Sequence, residues 1–282
     1  MIKVKSTQES YDSLLQLMSQ RKKLFYSRFG DGDIYIMMGR DQSNQTVSDS
    51  LKKEMIESFS IEDPDYLKGL AVNHPNEKGM IVGLFARFPD NPEMVSFLHN
   101  EFPKTDNLRF ENPVFLHYMS VFKPKQVNLF LEEVIRPKRK MFIGSIPKNK
   151  IETIVGPVDV YIKTPAKNAY DTIDSWYPLI EKHIKDVDLV IPAAGMSTRI
   201  INKRLWESNV EVQSFDIGSI VDIANDFQSR KWIRLAGHRV KRHIIINPKS
   251  AKHNSNQSYL NYILKEIKLQ MYTLIKSNPE FK

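Results

Sequence analysis

Two aspartates one residue apart, Asp31 and Asp33, fall in the string Ser27-Arg28-Phe29-Gly30-Asp31-Gly32-Asp33, between the apolar runs "LFY" and "IYIMM". "LFYSRF" reads as a buried strand, and at its carboxyl end an i, i+2 spacing points both carboxylates the same way. Gly32 adds no side chain to block what they hold. Convergent carboxylates repel unless a cation lies between them, so the natural guest is a hard divalent ion with open positions, Mg²⁺ or Mn²⁺. Such an ion would bind a diphosphate, and Arg28 could meet the same anion bidentately. The same letters also fit a surface turn with two solvated aspartates, because short motifs match often by chance. Their place at the end of a strand favours the ligand-binding reading.

A second string, "AAGMST" (193 to 198), puts Gly195 at a strand-to-helix turn. The hydroxyls and amides of Ser197 and Thr198 then lie near a helix N-terminus, which favours an anion. An N-capped turn explains the same residues equally well. The sequence has neither a G-x-G-x-x-G fingerprint nor a Walker lysine, which argues against a nicotinamide enzyme and a P-loop ATPase. The seven histidines show no close metal-binding spacing, which argues against a zinc hydrolase. His74 and His117 read as loop and helix residues, and His238 and His243 as part of a basic face. Trp176, Trp206 and Trp232 read as core or groove residues.

These strings need a scaffold, and the periodicities supply one. Helices are expected over 7 to 20, opened by a capping box from Ser6 to Glu9, over 48 to 59, and over 91 to 102 behind Asn91-Pro92. The stretch 105 to 135 reads as helical without resolved boundaries. Strands at 140 to 145, 158 to 164, 187 to 194 and 210 to 218 alternate with helices near 150 to 155, 168 to 184 and 196 to 207. That alternation is the mark of an α/β, doubly wound, mostly parallel sheet flanked by helices. Ligands lie beyond the carboxyl ends of such strands, which singles out Gly144-Ser145, 164 to 168, 194 to 198 and 216 to 219. A helix over about 258 to 276 closes the chain, its face marked by Leu260, Ile263, Ile267, Met271 and Leu274. No repeat or linker interrupts residues 1 to 282, so a single domain is expected.

Composition bounds the function. The 282 residues are 41% hydrophobic and 26% charged, as in ordinary globular proteins. No run approaches the roughly 20 apolar residues that span a bilayer, and the N-terminus lacks a signal-peptide core. Cysteine is absent, so any metal must sit on oxygen or imidazole. The chain reads as cytoplasmic. The formal charge of +8 is concentrated in "RPKRK" (136 to 140) and "GHRVKRH" (237 to 243) and suits an anionic partner. Nucleic acid, an acidic membrane surface and a phosphorylated small molecule all qualify, as do plain solvated lysines.

In order, the motifs resemble those of the GT-D glycosyltransferases, represented by bacterial glucosyltransferases that extend glycans on serine-rich adhesins. The family pattern R-F-G-D-G-E, followed by a short helix and a glycine, is matched by Arg28 to Asp33 and Gly39. "PAKNAYDTID" (165 to 174) is similar to its P-x-x-N-A-[FY] segment, "AAGMST" to its A-x-G-x-[ST], and "FDIGS" (215 to 219) to its D-I-G-H. The landmarks span 27 to 219, and nothing after about 225 matches. The resemblance implies a Rossmann-like fold and metal-dependent transfer of a sugar from a nucleoside diphosphate donor, UDP above all, to a hydroxyl of a glycan or glycoconjugate. It implies that Asp31 and Asp33 serve Mn²⁺ or Mg²⁺, and that Arg28, Gly30, Gly32, Asn168, Gly195, Ser197, Thr198 and Ser219 line the donor site. If the anomeric centre is inverted, Asp216 and Asp222 are the candidates for general base. Two positions depart from the pattern: Asp33 replaces a glutamate, and Ser219 stands where the family has histidine. No nucleic acid partner is expected, and peripheral membrane contact stays open. The rival readings are a basic nucleic-acid-binding protein and a metal-dependent nucleotide phosphohydrolase.

Overall fold

The computed structural model describes residues 2 to 71, 91 to 225, 231 to 245 and 255 to 277. His74 lies outside them. The first half comprises β1 (Lys3–Val4), α1 (Thr7–Gln20), β2 (Leu24–Phe29), α2 (Asp31–Met37), α3 (Asp49–Ser60), β3 (Tyr66–Leu70), α4 (Pro92–Glu101), β4 (Arg109–Phe110), α5 (Phe115–Phe122) and α6 (Pro124–Phe130). It continues with β5 (Lys140–Gly144), α7 (Lys148–Val155), β6 (Val160–Lys163), α8 (Ile173–His183), β7 (Leu189–Ala193), α9 (Ser197–Glu207), β8 (Gln213–Phe215), α10 (Lys231–His243) and α11 (Ser255–Ser277).

Local chemistry sets several boundaries. Ser6 caps α1, accepting from the Glu9 amide while the Glu9 carboxylate accepts from the Ser6 amide. Ser48 caps α3, and Asn91 caps α4 with Pro92 in its first turn. The stretch 105 to 135, expected to be helical, is broken: Lys123-Pro124 separates α5 from α6, and Arg109–Phe110 pairs with β1 in a small parallel sheet.

The main sheet has six strands in the order β3-β2-β8-β7-β5-β6, every pair parallel. The α/β, Rossmann-like expectation holds, and β3 joins as an edge strand that "YLKGL", with its lysine and glycine, did not announce. Alternation along each strand feeds two cores. Tyr26, Phe142, Ile191 and Phe215 face the layer holding α1, α5, α6 and α10, while Phe25, Phe29, Met141 and Val190 face that of α3, α8 and α9. Arg28 therefore emerges on the α5 side of β2.

The last two helices form a pair. Glu266 of α11 accepts from His238 Nε2 at 2.7 Å and from Arg239 Nε at 2.7 Å, both on α10, and Arg239 also donates to the Val121 carbonyl. Arg239 foremost holds the Glu266 carboxyl at about 2, below its ordinary 4.5. A depressed carboxylate contributes stability that is present above the unfolded value and lost as pH falls through the folded one. Hydrogen-exchange protection of α11 is thus expected to fall between about pH 4.5 and 2. In Glu266→Gln it should start lower and stay flat across that window. Equal pH profiles for the two proteins would refute the clamp. Among the described residues no helix is long and apolar enough to cross a membrane.

Candidate active site

β2, β7 and β8 lie near one another in the sheet, and their carboxyl ends bring together three of the four strings matched to the family pattern, while Gly144 and Ser145 lie at the end of β5, on the far side of β7 from β8. β2 delivers Arg28, Gly30, Asp31, Gly32 and Asp33. β7 delivers Gly195, Ser197 and Thr198, and β8 delivers Asp216 and Ser219. The fourth string joins from the side: the amide of Asn168 donates to the Asn44 carbonyl at 2.9 Å, and its side-chain oxygen accepts from the Thr46 amide at 3.0 Å. Asn168, at φ 52°, therefore anchors the loop that follows α2.

At the centre is a buried cluster of two arginines and two aspartates. Arg199, in the first turn of α9, donates through Nη2 to Asp33 Oδ2 at 2.8 Å and through Nη1 to the Gly195 carbonyl at 3.0 Å. Nη1 also lies 3.4 Å from Asp216 Oδ2, and Nη2 meets the Arg28 carbonyl. Arg28 Nη1 stands 4.0 Å from Asp216 Oδ1, which accepts from the Gly218 amide at 3.0 Å. Burial pushes the Asp33 carboxyl up to about 6, against the pull of Arg199 and of the Gly30 amide. Arg28 Nε, Asp33 Oδ1, Asp216 Oδ2, Arg199 Nε and Ser197 Oγ are buried and make no hydrogen bond. Concentrated at one sheet edge, such atoms mark a place where a polar ligand would complete the bonding.

Space is short at two glycines, most of all at Gly218. A Cβ on Gly218, which has φ +68°, would lie 1.3 Å from Arg28 Nη1 and 2.8 Å from His117 Nε2. One on Gly32 would meet Met196 Cε at 3.0 Å and Gln42 Oε1 at 3.4 Å. The site is therefore packed to the backbone on both sides.

The structure changes the expected arrangement of the aspartate pair. Asp31 and Asp33 occupy the first turn of α2 rather than the end of an extended strand, and on a helix i and i+2 do not share a face. Asp33 is 4% exposed and turns inward to Gly30 and Arg199. Asp31 is exposed, its Oδ1 accepting from the Gly32 amide at 2.9 Å. Among the described residues no group of three acidic or imidazole side chains is placed to hold a metal ion. Of the remaining expected residues, Thr198 Oγ1 accepts from the Ala194 amide at 3.3 Å, as a helix-entry residue does. Asp222 is half-buried in the 3₁₀ segment Gly218–Asn225.

Sequence reasoning missed two members. Arg199 was marked only by its position, since a cation in the first turn of a helix opposes the macrodipole and calls for an acidic partner. His117, in the apolar helix α5, stacks on Trp232 of α10 with ring centroids 5.2 Å apart. Its Nε2 lies 3.4 Å from Arg28 Nη1 and 3.3 Å from Ser219 Oγ. A guanidinium only donates, so Nε2 accepts and the ring proton resides on Nδ1. Ser219 carries no imidazole, yet one reaches its hydroxyl from α5.

No protein-family model matches the chain, and no curated protein matches it in sequence. Its architecture does match solved structures of domain of unknown function 1792, described as having a distinct glycosyltransferase fold: TM-score 0.54 at 18% identity, over 92% of this chain and 88% of the other. A glycosyltransferase of that domain type from Streptococcus sanguinis is similar with TM-score 0.58 at 17% identity, over 93% of this chain and 98% of the other. A selenomethionine structure of the domain gives 0.56 at 18%, over 92% and 88%. The likeness establishes the fold.

Proposed function

We propose that this chain, taken over residues 1 to 282 as one unit, is a glycosyltransferase. It would move a hexosyl or pentosyl group from a nucleoside diphosphate sugar, a UDP-sugar first, to a hydroxyl of a glycan or glycoconjugate. The observation that carries the reading is the buried Arg28–Asp216–Arg199–Asp33 cluster, with its unbonded polar atoms, at the carboxyl edge of a fold shared with glycosyltransferases.

Each residue has a physical task. Arg28 offsets charge that develops on the departing diphosphate, where electrostatic stabilisation acts. Ser197, with its unbonded hydroxyl at the start of α9, donates to a phosphate oxygen, while the Thr198 and Arg199 amides are already engaged by the Gly195 and Met196 carbonyls. Gly30, Gly32 and Gly195 keep side chains out of the approach, while Asn168 and Ser219 border it. Asp216, whose Oδ2 is not hydrogen-bonded, is the first choice for drawing the proton from the acceptor hydroxyl, and Asp222 the second. Carboxylate oxygens suit Mn²⁺ or Mg²⁺, but Asp31 and Asp33 diverge on α2, so the exposed Asp31 would meet such an ion first and the orphaned Asp33 Oδ1 would join it only after the first turn of α2 rearranged. When bound, it supplies further charge compensation for the leaving nucleotide. The absence of cysteine supports a cytoplasmic setting for the reaction.

Thermal unfolding across a panel of UDP-, GDP- and other nucleotide sugars, with and without Mn²⁺, tests this. Donor at about 100 times its dissociation constant adds about 2.7 kcal/mol, or roughly 4 to 5 °C for a chain of this size. A manganese-dependent rise that disappears in Asp31→Asn is the expected result. Release of free phosphate without any acceptor would replace the transferase with a phosphohydrolase. Binding to DNA or RNA that weakens steeply with salt would replace it with a nucleic-acid-binding protein.

A further inference from the structure

Of the α11 face named from the sequence, Leu260, Ile267 and Met271 point outward and Ile263 is half-buried, while the Leu274 side chain lies outside those described; the exposed stripe takes in Leu264, which that face did not include. Leu260, Leu264, Ile267 and Met271 are 58%, 55%, 47% and 57% exposed, and their 4-3-4 spacing aligns them in one stripe. The inward side of the same helix is the one carrying Leu269, 2% exposed, and Glu266, clamped to α10. Beside the stripe runs a shallow groove of about 320 Å³ lined by Leu235 of α10 with Leu264, Ile267, Lys268, Met271 and Tyr272.

Charge decides what fits there. Residues 231 to 245 contain Lys231, Arg234, Arg239, Lys241 and Arg242 and no acidic residue. α11 adds the exposed Lys265 and Lys268, and its one acid, Glu266, is already engaged by Arg239 and His238. A second copy pairing through this stripe would set one basic helix pair against another. An apolar stripe of large side chains edged by lysines is instead the pattern of a helix that lies in a lipid interface. There the stems of the lysines follow the apolar surface and their charges reach the headgroups.

We propose that α10 and α11 form a docking surface for anionic lipid headgroups, with Leu260, Leu264, Ile267 and Met271 entering the acyl boundary and Lys265 and Lys268 meeting the phosphates. The surface adjoins the site through α10, whose Trp232 stacks on His117. A transferase so placed would work beside lipid-borne acceptors, but the docking itself does not depend on the transferase reading.

Cosedimentation of the full chain with phosphatidylcholine vesicles, with and without phosphatidylserine, provides the test. Binding is expected only with phosphatidylserine, falling as salt rises. Lys265→Gln and Lys268→Gln should each weaken it roughly fivefold, and Leu264→Gln with Ile267→Gln should abolish it, all without lowering the melting temperature. Equal binding to both vesicles, or binding unchanged in the variants, overturns the proposal. So does a concentration-dependent dimer lost in Leu264→Gln, which would assign the stripe to a second copy. Binding to an acidic polypeptide but to no vesicle would assign it to a protein partner. The nucleotide-sugar shift is read separately, so either reading can fail alone.

Discussion

Gly218→Ala is expected to remove sugar transfer almost completely while the protein still folds. The added methyl would lie 1.3 Å from Arg28 Nη1 and 2.5 Å from its Cζ, so the guanidinium must leave its place beside Asp216 and His117. A displacement of even about 1 Å in a positioning group can lower turnover roughly 100-fold. The φ of +68° adds a backbone cost of about 1 to 2 kcal/mol, or a fall of roughly 2 to 3 °C in melting temperature. Adding Arg28→Ala should return part of that stability by removing the clash, without returning transfer. A Gly218→Ala protein that keeps its nucleotide-sugar shift and its rate would show that Arg28 does not serve the donor.

Arg199→Met is the change expected to damage the fold most. It removes the cation that Asp33 and Asp216 share. Breaking a buried pair by deleting one partner typically costs about 3 to 5 kcal/mol, or roughly 5 to 8 °C here. The loss should depend on pH with a definite sign. Asp33 is already raised to about 6 from 3.8. Its contribution is therefore fully present below the unfolded value and lost as pH rises through the folded one. Without Arg199 the folded value rises further, so the deficit should be larger at about pH 7.5 than at about pH 5. Asp33→Asn in the Arg199→Met background should recover stability at the higher pH. Chemical denaturation of the three proteins at both pH values measures this, and a pH-independent deficit would mean that Arg199 acts by packing alone.

Much of the frame can be read from residues with strong local rules. Ser6 with Glu9, and Asn91 with Pro92, mark helix starts through bonds made within one turn. The strands from Lys140 onward are short buried runs between helices, and β5, β6 and β7 appear where expected. The three strings that meet at the sheet edge were legible because each follows a strand, and strand ends share one side of a parallel sheet.

What resisted reading depends on contacts distant in sequence. Nothing in the apolar run "FLHYMSVF" indicates that His117 meets Arg28 of β2 and Ser219 beyond β8. The divergence of Asp31 and Asp33 turned on whether Gly30 continues the strand or begins a helix, and glycine permits both. "GHRVKRH" drew notice for its charge, although it is the second half of α10, which buries Trp232, Ala236 and Val240 against the rest of the protein. In α11 periodicity found Leu260, Ile267 and Met271 of the stripe, took Ile263 for Leu264, and left its direction open, because an amphipathic pattern does not say which side faces the body.

The strand order carries a consequence for biosynthesis. β8 lies between β2 and β7, so the second strand made from the N-terminus pairs with the last among the described residues. On a ribosome, β2 emerges with Arg28 and Asp33 long before Gln213–Phe215 and Asp216 are translated. Until then the edge of β2 that will receive β8 has no neighbour, and Asp33 waits for Arg199 until α9 has been made. The buried cluster can therefore be complete only late in the life of the nascent chain, once Gln213–Phe215 is available to pair with β2 and β7.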